Sequence, residues 1–211
     1  MLRKNASSNQ LDVIFNYYDC RNTAMVLQGW EKVRIDEYYE SRCKDCKKFY
    51  TRQLANVVKQ LNDYIELRTY PYGNTKMTQN DENVTFQCEH GRAECYGNGL
   101  HACAIYYLPD KSFYVPYNSC LMAWDSTDQA ADQCSNNEVI SSVIKTCAKG
   151  YHAVELLKYY AKETAKLTDK KLMPYTIVNG KVLQPQDRLM DKVCAAFKNP
   201  PQACIRTKID I

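Results

Sequence analysis

No stretch of this chain approaches the roughly 18 consecutive apolar residues that a membrane-spanning helix needs, so the sequence supplies no such span. Charge of one sign is also scarce. The net charge is +4, and lysines and arginines are scattered rather than gathered in one block. That distribution gives no electrostatic footprint for a phosphate backbone, and no nucleic-acid partner is expected. Histidine is rare: the three copies, His90, His101 and His152, form no Ser-His-Asp or Cys-His pattern suited to hydrolysis. Low-complexity tracts and internal repeats are missing too. The opening segment, MLRKNASSNQLDVIF, lacks the apolar centre of a secretory leader.

Cysteine, by contrast, is plentiful. Eleven cysteines in 211 residues are hazardous in an oxidising compartment unless paired, and unusual in a reducing one. This content argues for a secreted or lysosomal destination, with the signal peptide absent from this sequence. Two sequons, Asn5-Ala6-Ser7 and Asn83-Val84-Thr85, point the same way and make Asn5 and Asn83 glycosylation candidates.

Residues 1–30 have mixed polarity without a sustained period and read as an N-terminal extension. From Lys32 the pattern sharpens. Val33 and Ile35 alternate with charged neighbours and lead into Tyr38-Tyr39, which predicts a strand. Cys43-Lys44-Asp45-Cys46 follows, and then Tyr50, Leu54, Val57, Val58 and Leu61 line one helix face. A second strand over 64–70 stops at the turn Pro71-Tyr72-Gly73-Asn74. Strand, CxxC, helix, strand is the opening of a thioredoxin-like domain, so residues 31–87 are assigned to its first half. Residues 168–211 supply the second half: Pro174, a strand over 175–178, the turn Asn179-Gly180, a return strand over 181–183 and a helix over 186–198. Between the halves, residues 88–167 read as an insertion. Its first part, 88–120, looks cysteine-rich and turn-rich. Its remainder looks helical, with Val139, Val143 and Cys147 on one face, a break at Gly150, and Val154, Leu157 and Ala161 beyond it. The expected fold class is α/β: a thioredoxin-like fold with a cysteine-rich, mainly helical insertion.

Two thiols at a helix entrance have a specific use. The first sits by unsatisfied backbone N–H groups and the positive end of the helix dipole, which favours its thiolate. The second, one turn in, can attack a mixed disulfide and release the substrate. Cys43 is thus the expected nucleophile and Cys46 the resolving thiol, with Arg42 and Lys44 as thiolate-tuning neighbours. Pro174 in a thioredoxin-like site is expected to be cis and to face the CxxC, so Met173 and Pro174 are the substrate-positioning candidates. Two blander readings stay open: a structural disulfide, or half of a zinc site completed by Cys88 and Cys95. The wide spacing of that second pair speaks against zinc, and no metal is expected.

The segment Cys88-Glu89-His90-Gly91-Arg92-Ala93-Glu94-Cys95-Tyr96-Gly97-Asn98, continuing to Cys103, resembles the signature of the gamma-interferon-inducible lysosomal thiol reductase family. That signature runs C-Q-H-G-x-x-E-C-x-x-N with a further cysteine five residues on. Glu89 replaces its usual Gln. Tyr38-Tyr39-Glu40-Ser41 and Val178-Asn179-Gly180 resemble the family as well, whereas Lys44 stands where proline is frequent and Arg42 where an apolar residue is common. The resemblance covers about residues 32–204. It implies a thioredoxin-like reductase of protein disulfides active at acidic pH, with Cys43 and Cys46 as the catalytic pair. No cofactor is implied beyond an external thiol reductant. Eight further cysteines, Cys88, Cys95, Cys103, Cys120, Cys134, Cys147, Cys194 and Cys204, are structural disulfide candidates. Cys194 with Cys204, and Cys120 with Cys134, are the expected local pairs. Cys20 is left over, to be capped, free or the link of a disulfide-bonded dimer. His90 reads as structural, tied into the cysteine-rich loop.

The leading functional expectation is therefore a thiol–disulfide reductase whose partners are disulfide-containing proteins. The alternative is a secreted interaction protein of the same scaffold with weak or lost activity, prompted by the altered CxxC flanks and the seventeen tyrosines. An oxidase or isomerase would differ only in reduction potential, which no sequence fixes.

Overall fold

The computed structural model describes residues 32–80, 83–167 and 172–206. The extension over 1–30, with Asn5 and Cys20, lies outside the described residues.

Strand β1 (Val33–Tyr39) is the spine of the fold. Its first residues alternate, with Val33 and Ile35 buried and Arg34 exposed, but from Asp36 to Tyr39 every side chain is buried. A strand with neighbours on both edges and cover on both faces loses its alternation in this way. It pairs in parallel with β2 (Ile65–Pro71), from Val33 opposite Ile65 to Tyr39 opposite Pro71. On its other edge it pairs antiparallel with β5 (Tyr175–Val178), and β6 (Lys181–Val182) closes the order β2-β1-β5-β6. Asn179 and Gly180 both take positive φ between β5 and β6, as a two-residue hairpin turn of this kind requires.

A parallel β1–β2 pair needs a crossover, and a helical one supplies it. It comprises α1 (Lys44–Phe49), a π-helical turn (Tyr50–Leu54) and α2 (Ala55–Leu61). Its inward face is Cys46, Phe49, Tyr50, Leu54, Val57, Val58 and Leu61, all 8% exposed or less. After β2 comes a separate exposed hairpin, β3 (Lys76–Asn80) with β4 (Asn83–Gln87), which puts Asn83 at the surface.

Five helices then intervene before β5: α3 (Arg92–Tyr107), α4 (Lys111–Ala123), α5 (Asp128–Gln133), α6 (Glu138–Lys149) and α7 (Tyr151–Thr164). The turn-rich reading of 88–120 is therefore corrected, since two long helices occupy most of it. Gly97 and Asn98 within it mark close packing rather than turns. The buried face of α6 is corrected as well: Ser141, Ile144 and Cys147 point inward, while Val139 is 68% exposed. The closing helix is shorter than predicted, α8 (Leu189–Ala195), and α9 (Gln202–Arg206) follows the Pro200-Pro201 stop. Four disulfides tie these pieces together. They join Cys88 to Cys95 ahead of and within α3, Cys103 in α3 to Cys147 in α6, Cys120 in α4 to Cys134 after α5, and Cys194 in α8 to Cys204 in α9.

Helix α3 docks against the end of β1 through small and polar groups. Asn98 Oδ1 accepts from the Ser41 backbone N–H at 2.9 Å, and Ser41 Oγ donates to the Glu94 carbonyl at 3.2 Å. Gly97 lies against the same residue: a Cβ there would stand 2.5 Å from Ser41 Oγ and 2.9 Å from Ser126 Cβ. Gly97→Ala must therefore push α3 off the loop that carries the dithiol. The expected cost is about 1–3 kcal/mol, as for other overpacked cores, seen as a lower denaturation midpoint with an unchanged slope. An unaltered midpoint would contradict this packing.

Candidate active site

Cys43 is the N-cap of α1. Its backbone is extended, and its Sγ accepts from the Cys46 N–H at 3.2 Å. The structure carries the pair as two thiols, both buried; Cys43 is 8% and Cys46 0% exposed. Their environments pull them apart. The Cys46 thiol, the backbone N–H groups of Cys46 and Asp45, and the charge of His90 favour the Cys43 thiolate against the opposing effect of burial. Together they bring its pKa down to about 7. Burial and the neighbouring Cys43 push the Cys46 thiol far up. One dithiol thus contains an easily ionised sulfur and one that holds its proton.

The segment ahead of β5 completes the site. The Met173–Pro174 bond is cis, and the Met173 carbonyl faces the dithiol, with Cys43 Sγ donating to it at 3.7 Å. On another side, Arg42 donates to the Asp125 carbonyl at 3.0 Å and Lys47 to the Ala123 carbonyl at 3.1 Å. Trp124, between those two carbonyls in sequence, is 60% exposed. Arg42 is tied to the Asp125 carbonyl and Lys44 is exposed to solvent, and the charge of His90 favours the Cys43 thiolate.

Three acidic residues were given no site role by the sequence, although Glu40 and Glu94 belong to the segments that carry the family resemblance. Glu37 in β1 is 0% exposed. Thr176 Oγ1 donates to its Oε2 at 2.5 Å, and its Oε1 has no hydrogen-bond partner among the described residues. Burial, partly offset by that hydrogen bond, raises its pKa to about 8, and its charge bears on the Cys46 thiol. Glu40, 1% exposed, accepts the Asn74 N–H at 2.8 Å. Burial first, and then its acidic neighbours Glu94 and Glu89, raise it to about 7. Glu94, 0% exposed, accepts from His90 Nδ1 at 2.5 Å and from the His90 N–H at 3.1 Å. Glu40, His90 and Glu94 bring three ligand atoms within 4.8 Å of one another.

His101, a buried histidine near the site, is neutral and structural. Tyr39 Oη and Ser126 Oγ each lie 3.0 Å from one of its ring nitrogens, and burial brings its pKa down to about 3.

The family model for gamma interferon inducible lysosomal thiol reductase matches residues 34–138. GILT-like protein 1 of Drosophila melanogaster is 32% identical over 196 residues, covering 82% of this chain and 78% of that protein. The gamma-interferon-inducible lysosomal thiol reductase of Carassius auratus is 30% identical, over 82% of this chain and 72% of its own length. Among solved structures, oxidised BdbD from Bacillus subtilis superimposes with a TM-score of 0.56 at 14% identity, covering 76% of this chain and 85% of that one. MdbA, a thiol-disulfide oxidoreductase from Actinomyces oris, gives 0.55 at 11% identity over 72% of each chain. At such low identity these two speak for the fold alone. The expected thioredoxin-like α/β architecture with a mainly helical insertion is the one the chain has.

Proposed function

We propose, on the premise that this chain belongs to the gamma interferon inducible lysosomal thiol reductase family, that it is an enzyme reducing protein disulfides through Cys43 and Cys46. The observation that carries this reading is the contrast within the dithiol: Cys43 at a helix N-cap with its pKa brought down, Cys46 buried behind it with its pKa raised.

The Cys43 thiolate attacks one sulfur of the substrate disulfide. A Cys43–substrate mixed disulfide forms, and the other substrate sulfur leaves as a thiolate that takes up a proton from solvent. Cys46 then loses its proton and attacks the Cys43 sulfur. The Cys43–Cys46 disulfide forms, and the second substrate thiol departs. Two electrons have passed to the substrate, and an external thiol returns them to the enzyme. Burial keeps Glu37 protonated below its pKa of about 8, so in acid the proton of Cys46 passes to the departing substrate sulfur. The Met173 carbonyl and cis-Pro174 flank the sulfur under attack and position the substrate backbone.

The working compartment is acidic, lysosomal or extracellular, and Asn83 on its exposed hairpin is a glycosylation acceptor. Insulin-disulfide reduction measured at about pH 5 and at about pH 7 tests the acidic range, where a tuned thiolate keeps a useful ionised fraction. Turnover at about pH 5 on the order of tenfold or more above what an ordinary thiol's thiolate fraction would support is the expected result. Activity that collapses at about pH 5 as an ordinary thiol's would contradicts the acidic assignment.

A further inference from the structure

We infer that His90 is a positioning residue for this reaction: held between the buried carboxyls of Glu40 and Glu94, it keeps a positive charge against Cys43 and so preserves the Cys43 thiolate in acid. The inference rests on the reductase reading above and gives the signature loop a role in it.

The geometry starts with two carboxyls withdrawn from water. Glu40 directly follows β1 and Glu94 lies in the first turn of α3, and each is 1% exposed or less. A buried carboxylate is costly unless a cation or donor meets it. His90 meets both, with Nδ1 2.5 Å from Glu94 Oε2 and 3.5 Å from Glu40 Oε2. Its own side chain is 44% exposed, so it exchanges protons with solvent while its partners stay dry.

The surroundings fix this arrangement. Gly73, at φ +56°, lies so close to Glu40 that a Cβ there would sit 2.2 Å from Glu40 Cγ. Asn74 N–H holds the other oxygen of Glu40 at 2.8 Å. Gly91, at φ +82°, turns the chain straight from His90 into α3, a backbone conformation that disfavours any side chain. The Cys88–Cys95 disulfide closes the same loop. The Glu40 carboxyl that His90 meets at 3.5 Å lies three residues before Cys43 in the chain, and the charges of His90 and Cys43 each favour the charged form of the other.

The groups facing His90 come from three segments: Glu94 from α3, Glu40 from directly after β1, and Cys43 from the start of α1. Glu89 in the same loop acts on Glu40. Partial burial works against the imidazolium, but Glu94, Glu40 and Cys43 together outweigh it, and the His90 pKa is raised. Glu40 repels the Cys43 thiolate when ionised, yet burial makes it take up a proton near pH 7. On acidification the repelling charge is lost first, while the attracting imidazolium remains. In acid Cys43 therefore faces the imidazolium, itself paired with Glu94, without the opposing charge of Glu40.

The test is the pH dependence of Cys43 alkylation in the reduced full chain, read by mass spectrometry. His90→Gln is expected to raise the midpoint by about one pH unit, a roughly tenfold loss of thiolate at a fixed acidic pH. His90→Lys, which keeps the charge, is expected to restore most of it. A purely structural His90 would lower thermal stability in both variants and leave the midpoint in place. Coincident midpoints for wild type and His90→Gln would overturn the inference. Should the His90 variants not fold, NMR titration of His90 in Cys43→Ser replaces them. Its midpoint falls if the two groups are paired, and an unchanged midpoint is the overturning result. Insulin reduction by the wild type, run in parallel, separates the two readings. An inactive wild type with shifted midpoints removes the reductase reading alone, and an active one with coincident midpoints removes the role of His90 alone.

Discussion

Cys43→Ser is expected to lower insulin-disulfide reduction by on the order of 10³-fold or more, the scale on which removal of a covalent nucleophile acts. A serine hydroxyl at the N-cap would still accept the Cys46 N–H that Cys43 Sγ accepts at 3.2 Å, so the helix start is preserved and the loss is chemical. Cys46→Ser should be almost as inactive in turnover but differ in kind. Cys43 can still attack, nothing resolves the adduct, and a Cys43–substrate mixed disulfide accumulates that non-reducing gels display. The two variants together assign the roles. Equal, adduct-free inactivity in both would break the order of attack, and a Cys43→Ser variant with wild-type turnover would refute the site itself.

The second large effect is on stability. An acid whose folded-state pKa is raised binds its proton more tightly in the folded chain. Its contribution is complete below the unfolded pKa and is lost as pH rises toward the folded value. Glu37 has a folded pKa of about 8 against 4.5, and Glu40 one of about 7, so both withdraw stability as pH climbs from about 4.5 to 7. His101, with its pKa brought down to about 3, acts in the opposite sense below about 6.5, because the unfolded chain gains a proton there that the buried ring refuses. Two groups against one leave the chain more stable at about pH 5 than at about pH 7. The net difference is about 3 kcal/mol, or on the order of 5–10 °C in melting midpoint for a chain of this size. Glu37→Gln removes the ionisation that is penalised and should flatten this dependence, most visibly by stabilising the protein at about pH 7. Thermal melts at the two pH values check it. A wild type more stable at the higher pH, or a Glu37→Gln variant with undiminished pH dependence, would contradict the burial of that carboxyl.

Much of the fold was legible because period and punctuation agreed. In β1 the apolar alternation at Val33 and Ile35, the CxxC, the helical face from Tyr50 to Leu61 and the Asn179-Gly180 turn are local signals, and each formed the expected element. Helix α3 was not legible, because the face it turns to the dithiol loop is Glu94, Gly97, Asn98 and His101. No apolar period marks such a face. Its polar groups are satisfied by Ser41 and Tyr39, more than fifty residues away. Glu37 was hidden for a related reason. It sits opposite Thr176 in the β1–β5 register, so its burial and its single hydrogen bond depend on a pairing 139 residues distant. The dithiol was visible in the sequence, and its electrostatic setting was not. Arg42, next to Cys43 in sequence, donates to the distant Asp125 carbonyl, whereas His90 bears on Cys43 only through the fold.

A single-turnover reaction addresses the central claim most directly. Dithiol enzyme is mixed with a stoichiometric protein disulfide at about pH 5, quenched in acid, alkylated and mapped by mass spectrometry. One substrate disulfide reduced for each Cys43–Cys46 disulfide formed, with the four structural disulfides of the described residues intact, is the predicted result. Substrate thiols released while Cys43 and Cys46 remain unbridged would contradict it.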